Sequence, residues 1–309
     1  MVEVPRWSVE RLIAEAPAPV AVIADPAVAR RVARLLPWPQ FATFADLPAE
    51  LGTLVAVGGG TLLDGLKIAR ADIRPDLRLV AIASLWGSGA EASPVALAME
   101  GERKVPRLEA ALAPDARVVL AELAEGLPRM LARHGCGDAW SHALEGTLSP
   151  LADEAVRSAG IQLMADMLAV GLGGDPRWFD LSARACSLQS RASVGLIHGI
   201  AHVIEGPLCR LEPSACWGHA RLCAVYAWPV LHLNMQLNDK WRRLADDGGL
   251  DREAVQGCLR ELFDDADFER TLPTLEERWP QVLRDPLSRS NSALVRRAHL
   301  EHFTERRFA

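Results

Sequence analysis

At 309 residues the chain has room for two domains or for one large α/β unit. Half of its residues are apolar and its net charge is −6, a balance that suits a globular chain and excludes a basic nucleic-acid or anionic-membrane surface. No apolar run reaches about 18 residues, so no membrane-spanning helix is expected.

Acidic residues at Glu3 and Glu10 and the lack of a signal-peptide apolar segment point to the cytoplasm. The six cysteines include no CxxC and read as reduced thiols, which fits the same compartment. Cys209, Cys216 and Cys223 recur every seven residues and read as packing on one helix face.

In chain order, Ser8 to Ala16 has the pattern of a short amphipathic helix. Val20 to Ala24 is a continuous apolar run, the signature of a buried parallel strand. Asp25-Pro26 closes it and a helix runs from Ala27 to Leu36. Phe41 to Phe44 is a candidate second strand, and Leu54 to Val57 is another buried one. Leu77 to Ala83 and Val118 to Leu120 complete the strand pattern, with a hairpin between Pro94 and Val105. Strand and helix alternate at the spacing of a parallel sheet. From Pro150 onward the pattern is helical, with segments at Pro150 to Val170, Asp180 to Val194, Ala220 to Asn234, Glu253 to Phe263, Leu272 to Leu283 and Ser292 to Thr304.

Two loops at strand ends carry chemistry. The strand ending at Val57 runs into Gly58, Gly59, Gly60 and Thr61 as a helix begins. Glycines permit close approach of a ligand, and the free N–H groups at a helix start favour phosphate. A plain tight turn needs fewer glycines, so phosphate binding is the preferred reading, with Thr61 capping the helix. The pattern is neither GxGxxG nor a P-loop. Asp25 suits a ribose diol or an N-cap equally well by position. Ser84 to Ser93 is a second Gly/Ser-rich loop, and two such loops can hold the two ends of a dinucleotide.

Asp138 with His142, and His198 with His202, are spaced i, i+4, one face of a helix in each case. His198 and His202 lie in an apolar segment, where buried imidazoles need partners. A divalent ion held between two helices supplies them, with His219 as a further donor. Imidazole plus carboxylate suits Fe(II) or Zn(II) better than Mg or Ca.

These motifs resemble, in order, those of the iron-containing alcohol dehydrogenase family, within the dehydroquinate synthase-like superfamily. Gly58 to Lys67 resembles its GGGSxxDxAK loop, and Ser84 to Glu91 its TTxGTGSE loop. Asp138 to Glu145 resembles its DAxxHAxE helix, and Gly195 to His202 its GxxHxxAH helix. The match covers roughly Val20 to Leu231 and marks a shortened, divergent member.

The resemblance implies an α/β, Rossmann-like dinucleotide-binding domain over 1–125. It implies an all-α metal and substrate domain over 126–309, with the active site in the cleft between them. The implied metal ligands are Asp138, His142, His198 and His219, and His202 is the implied proton-relay residue. The implied cofactor positions are Asp25, Gly58, Gly59, Gly60, Thr61, Asp64, Ser84, Leu85, Ser88, Ser93 and Lys104. The cofactor is then NAD rather than NADP, because an Asp25 carboxylate repels a 2′-phosphate. The implied reaction interconverts a small alcohol with an aldehyde or ketone; a homodimer is the candidate assembly, and the charge balance speaks against nucleic-acid or membrane partners.

Departures from the pattern are the short segment between Asp25 and Gly58, Leu85 and Trp86 in the second loop, Ala121 where an aspartate often follows the strand, and a stretched interval from His202 to His219. If His219 has swung away, Glu205, Glu212 or Cys216 are the alternative donors. Two rival readings are a NAD- and metal-dependent lyase or cyclase acting on a phosphorylated sugar-like substrate, and a non-catalytic relative acting as a pathway partner. The lyase would need more cations than Arg191, Arg210 and Arg221.

Overall fold

The computed structural model describes residues 3–100 and 103–308; the side chains of residues 99, 100, 103 and 104 lie outside that description. The chain forms two compact units, one of residues 1–128 with 174–187 and one of residues 129–173 with 188–309.

The first unit follows the alternation read from the sequence. Its elements are β1 (Arg6–Trp7), α1 (Val9–Glu15), β2 (Val20–Ala24), α2 (Ala29–Leu35), β3 (Gln40–Phe41), β4 (Thr53–Gly58), α3 (Gly60–Ile73), β5 (Arg78–Ala83), β6 (Val95–Glu100), β7 (Arg103–Leu108) and β8 (Ala116–Val118). Six strands make one parallel sheet in the order β1-β8-β5-β4-β2-β3. β6 and β7 form a separate antiparallel pair; residues 101–102 between them lie outside the described residues.

Every residue of β4 is buried, as expected of a central parallel strand covered on both faces. Ala21, Ile23, Leu54, Ala56, Leu79 and Ala81 share one sheet face and pack with Leu63 and Leu66 of α3. Burying such a leucine contributes roughly 1.5–3 kcal/mol. The sheet therefore fixes the start of α3 directly beyond the end of β4.

The second unit is helical in every described regular element. It contains α4 (Arg129–Leu148), α5 (Glu154–Val170), the last turn of α6 (Trp178–Gln189), α7 (Leu196–Leu211), α8 (His219–Leu237), α9 (Lys240–Asp247), α10 (Arg252–Leu262), α11 (Asp265–Val282) and α12 (Leu300–Thr304). No helix among the described residues is long and apolar enough to cross a membrane.

Three expectations change. The strand at Phe41 to Phe44 is confined to Gln40–Phe41, because Asp46 accepts hydrogen bonds from the Thr43 backbone (3.0 Å) and hydroxyl (2.7 Å) and turns the chain. The helix over Ser292 to Thr304 begins only at Leu300. Before it, Asn238 and Asn291 side chains donate to the Ser292 and Ala293 carbonyls and hold the backbone out of helix. The division at 125/126 differs too, since Gly174–Ser187 groups with the first unit. Arg117 pairs with Asp180 at 2.9 Å, the Gly87 N–H donates to Ser182 Oγ at 2.9 Å, and Trp86 meets the Phe179 ring edge-on at 5.3 Å.

Candidate metal centre and cofactor loops

Three helices of the second unit each present an i, i+4 pair: Asp138 and His142 on α4, His198 and His202 on α7, His219 and Cys223 on α8. Glycine lets these helices approach. A Cβ on Gly137 would lie 2.4 Å from the Ala224 Cβ, so α4 and α8 meet at backbone distance beside Asp138 and Cys223. The Ser141 hydroxyl reinforces this crossing, bonding the Gly137 carbonyl at 2.8 Å and lying 3.4 Å from that of Cys223.

Asp138 Oδ1 is the point of convergence. It lies 3.8 Å from His142 Nδ1, 3.6 Å from His198 Nε2 and 3.8 Å from His219 Nε2. Donor atoms of Asp138, His198, His219 and Cys223 all lie within 4.8 Å of one another. Asp138 is 2% and His198 3% exposed, yet Asp138 Oδ1 and His198 Nε2 have no hydrogen-bond partner among the described residues. Buried polar atoms left this way are costly unless something else satisfies them. One carboxylate, imidazoles and a thiol around such a point are the donor set of a divalent transition metal, and the residues fit one.

The surroundings orient the donors. Glu145, also on α4, accepts from His198 Nδ1 at 2.7 Å and from the backbone N–H groups of Ile197 and His198. It thus caps α7, whose N-cap Gly195 offers no side chain, and leaves Nε2 of a neutral His198 as the lone-pair atom facing Asp138. Glu205 Oε2 lies 3.9 Å from His219 Nδ1, behind the ring. The His202 ring sits 4.9 Å from that of His219.

Burial disfavours charge on Asp138, but His142, His198 and His219 outweigh it and hold the carboxyl well below its ordinary range. Burial likewise opposes charge on His198, yet Cys223, Asp138 and Glu145 raise its pKa. Burial pushes the Cys223 thiol up to about 12.

The stretched interval before His219 is clamped. Trp217 is buried, with the guanidinium carbons of Arg221 (4.2 Å) and Arg270 (4.9 Å) over its ring, and its indole N–H donates to Glu212. Glu212 also pairs with Arg270, and Cys216 is exposed, so neither is the replacement donor considered from sequence. Nor do the three cysteines share a helix face: Cys209 lies in the last turn of α7, Cys216 follows it in the connection, and of the three only Cys223 is buried. Cys223 was not among the expected donors, although it stands in the same i, i+4 relation to His219 that marks the other two pairs.

In the first unit the carboxyl ends of β2, β4 and β5 are adjacent, and on them stand Asp25, Gly58 to Thr61, and Ser84 to Ser88. The Asp25 N–H donates to Val57 O, and its Oδ1 accepts from Ala27 N–H at 2.9 Å. Asp25 is not a helix N-cap, because α2 starts later, after Val28. Thr61 does not cap α3 either: the N-cap is Gly59, with no side chain to bond the free N–H groups. Thr61 is exposed one position into the helix.

Ser88 hangs over this helix start, where a Cβ on Gly60 would come 2.8 Å from its hydroxyl. Ser84 and Leu85 are half-buried in the same loop. Asp64 and Ser93 turn inward instead. Asp64 pairs with buried Lys67 at 3.2 Å and accepts from Leu97 N–H, while Ser93 accepts from Val95 N–H. Lys104 stands on β7 with its side chain outside the described residues.

No family model matches the chain. A probable alcohol dehydrogenase, EutG, of Escherichia coli is 30% identical over 182 residues, a match covering 48% of this chain and 45% of that protein. The chain thus spans about half the length of this curated relative (45%). Among solved structures, an alcohol dehydrogenase from Oenococcus oeni superposes with a TM-score of 0.76 at 16% identity, covering 98% of both chains. The iron-containing alcohol dehydrogenase from Corynebacterium glutamicum gives 0.74 at 20% identity, covering 98% of this chain and 93% of the other. The chain is thus similar in sequence to alcohol dehydrogenases over about half its length, and it shares the fold of the iron-containing alcohol dehydrogenases.

Proposed function

We propose that the protein is a metal-dependent, NAD(H)-using oxidoreductase that interconverts a small alcohol with its aldehyde or ketone. The observation that carries this reading is the convergence of His142, His198 and His219 on Asp138 Oδ1, with two of these buried donor atoms lacking hydrogen-bond partners. When bound, a divalent ion such as Fe(II) or Zn(II) supplies Lewis acidity to the substrate oxygen, and NAD(H) exchanges the hydride.

Asp138, His198 and His219 hold the ion, with His142 beside the carboxylate as a further donor. Glu145 keeps His198 in its Nδ1–H form. His202 moves the proton between substrate and solvent. The N–H groups at the start of α3 bind the pyrophosphate over Gly58, Gly59 and Gly60, and the Ser84 and Ser88 hydroxyls bind alongside. Asp25 accepts from the ribose hydroxyls and repels a 2′-phosphate.

A lyase acting on a phosphorylated sugar is less well supported. Arg221 is committed to Asp267, at 2.5 and 2.6 Å, and to the Ala215 carbonyl. Arg191 faces Asp153 at 3.8 Å.

Protein purified without oxygen is expected to hold near-stoichiometric divalent metal and to oxidise NADH in the presence of short aldehydes. His198→Ala should lose both while keeping its far-UV circular dichroism. A parent that stays metal-free after reconstitution, or full turnover in His198→Ala, overturns the reading.

A further inference from the structure

We propose that Cys223 is a donor to the metal, so that the centre is Asp138, His198, His219 and Cys223 with one thiolate in the set. This rests on the metal-dependent reading above and specifies its ligands.

Cys223 is fully buried on α8, one turn beyond His219. Its Sγ lies 3.5 Å from His219 Nε2 and within 4.8 Å of donor atoms of Asp138 and His198. Donors around a tetrahedral ion with bonds of about 2.0–2.3 Å stand about 3.3–3.8 Å apart. Three of the six separations among these donors, 3.5 Å for His219 to Cys223, 3.6 Å for Asp138 to His198 and 3.8 Å for Asp138 to His219, fall in that range, and all six are within 4.8 Å. Asp138 Oδ1 and His198 Nε2, the two atoms of this set without hydrogen-bond partners among the described residues, would be satisfied by an ion held with the sulfur.

His142 approaches Asp138 but is not in this mutually close set, and its ring packs 4.5 Å from that of His198. With Cys223 bound, His142 becomes a partner of the carboxylate. Coordination requires the thiolate: as the sulfur–metal bond forms, the thiol proton leaves to buffer and the metal keeps its oxidation state. A sulfur donor tilts the site toward thiophilic divalent ions and away from Mg and Ca.

The test is titration of the metal-free, full-length protein with Co(II), read by absorption and by elemental analysis. The parent is expected to bind cobalt and to show the intense near-ultraviolet sulfur-to-cobalt charge-transfer band. Cys223→Ser should keep bound cobalt but lose that band. A Cys209→Ser/Cys216→Ser double variant, lacking the two exposed thiols, should keep it. Cobalt bound without the band, or a band that survives Cys223→Ser, overturns the assignment while leaving a metal site. No cobalt uptake by the parent, or uptake undiminished by His198→Ala, overturns the metal-dependent reading itself. If Cys223→Ser does not fold, X-ray absorption of the zinc-loaded parent decides: a sulfur shell at about 2.3 Å is expected, and a shell of nitrogen and oxygen alone refutes the proposal.

Discussion

Glu145 Oε2 lies 2.7 Å from Nδ1 of His198, and the same carboxylate takes the N–H groups at the start of α7. One side chain therefore sets both the entry of a helix and the tautomer of its first histidine. Glu145→Ala is expected to lower metal affinity by about 10–100-fold, the usual cost of losing a carboxylate behind a ligating imidazole. Loss of the cap should cost about 1 kcal/mol of stability in addition. Chelator competition and urea unfolding separate the two effects. Unchanged metal affinity would refute the orienting role.

At the cofactor loops, Asp25→Ala should raise kcat/KM with NADPH relative to NADH by about tenfold, equivalent to about 1.4 kcal/mol at the transition state. The alanine removes both a ribose acceptor and a like charge. An unchanged ratio would show that Asp25 serves only the turn that its bond to Ala27 closes.

Gly137→Ala tests the helix crossing. The added methyl meets the Ala224 Cβ at 2.4 Å and its Cα at 2.6 Å, and backbone cannot rotate away as a long side chain would. Overpacking of this kind typically costs about 1–3 kcal/mol. The urea midpoint should fall at constant slope, and Gly257→Ala, in open space on α10, should not lower it comparably.

His302 gives a pH prediction. It is buried, its Nε2–H donates to Pro229 O at 2.9 Å, and Nδ1 has no partner among the described residues. Burial pushes its pKa down to about 4. In the unfolded chain an imidazole titrates near about 6.5. The folded value is depressed, so this stability is fully present above about 6.5 and is lost as pH falls toward about 4, while only the unfolded chain takes the proton. His302→Gln, which keeps a donor toward Pro229 and cannot titrate, should show a shallower fall in Tm over that window. His232, stacked on His302 at 5.4 Å and also shifted down by burial, adds to the slope in both proteins.

The parallel sheet was legible because Val20–Ala24, Thr53–Gly58 and Arg78–Ala83 are buried on both faces and read as unbroken apolar runs. The two-residue strands Arg6–Trp7 and Gln40–Phe41 were not, since they are too short to show a period. The i, i+4 spacing marked the two helices that carry Asp138, His142, His198 and His202. It failed for Cys223 because a heptad of cysteines suggested a single face, whereas a break after Leu211 puts Cys209 and Cys223 on different helices. Thr61 was misjudged by two positions: Gly59 adopts the extended cap geometry, and a missing side chain leaves no trace in residue type.

The interruption of the second unit by Gly174–Ser187 bears on how the protein is made. A ribosome emits residues in order, so the first unit lacks Phe179, Asp180 and Ser182, the partners of Trp86, Arg117 and Gly87, until residues 129–173 of the second unit have been synthesised. Neither unit is then a self-contained stretch of nascent chain that folds as it emerges. A fragment cut at residue 128 would leave the Trp86 indole without its aromatic neighbour and Arg117 without its counter-ion. Domain dissection of this protein calls for a spliced first piece, residues 1–128 joined to 174–187, rather than a simple truncation.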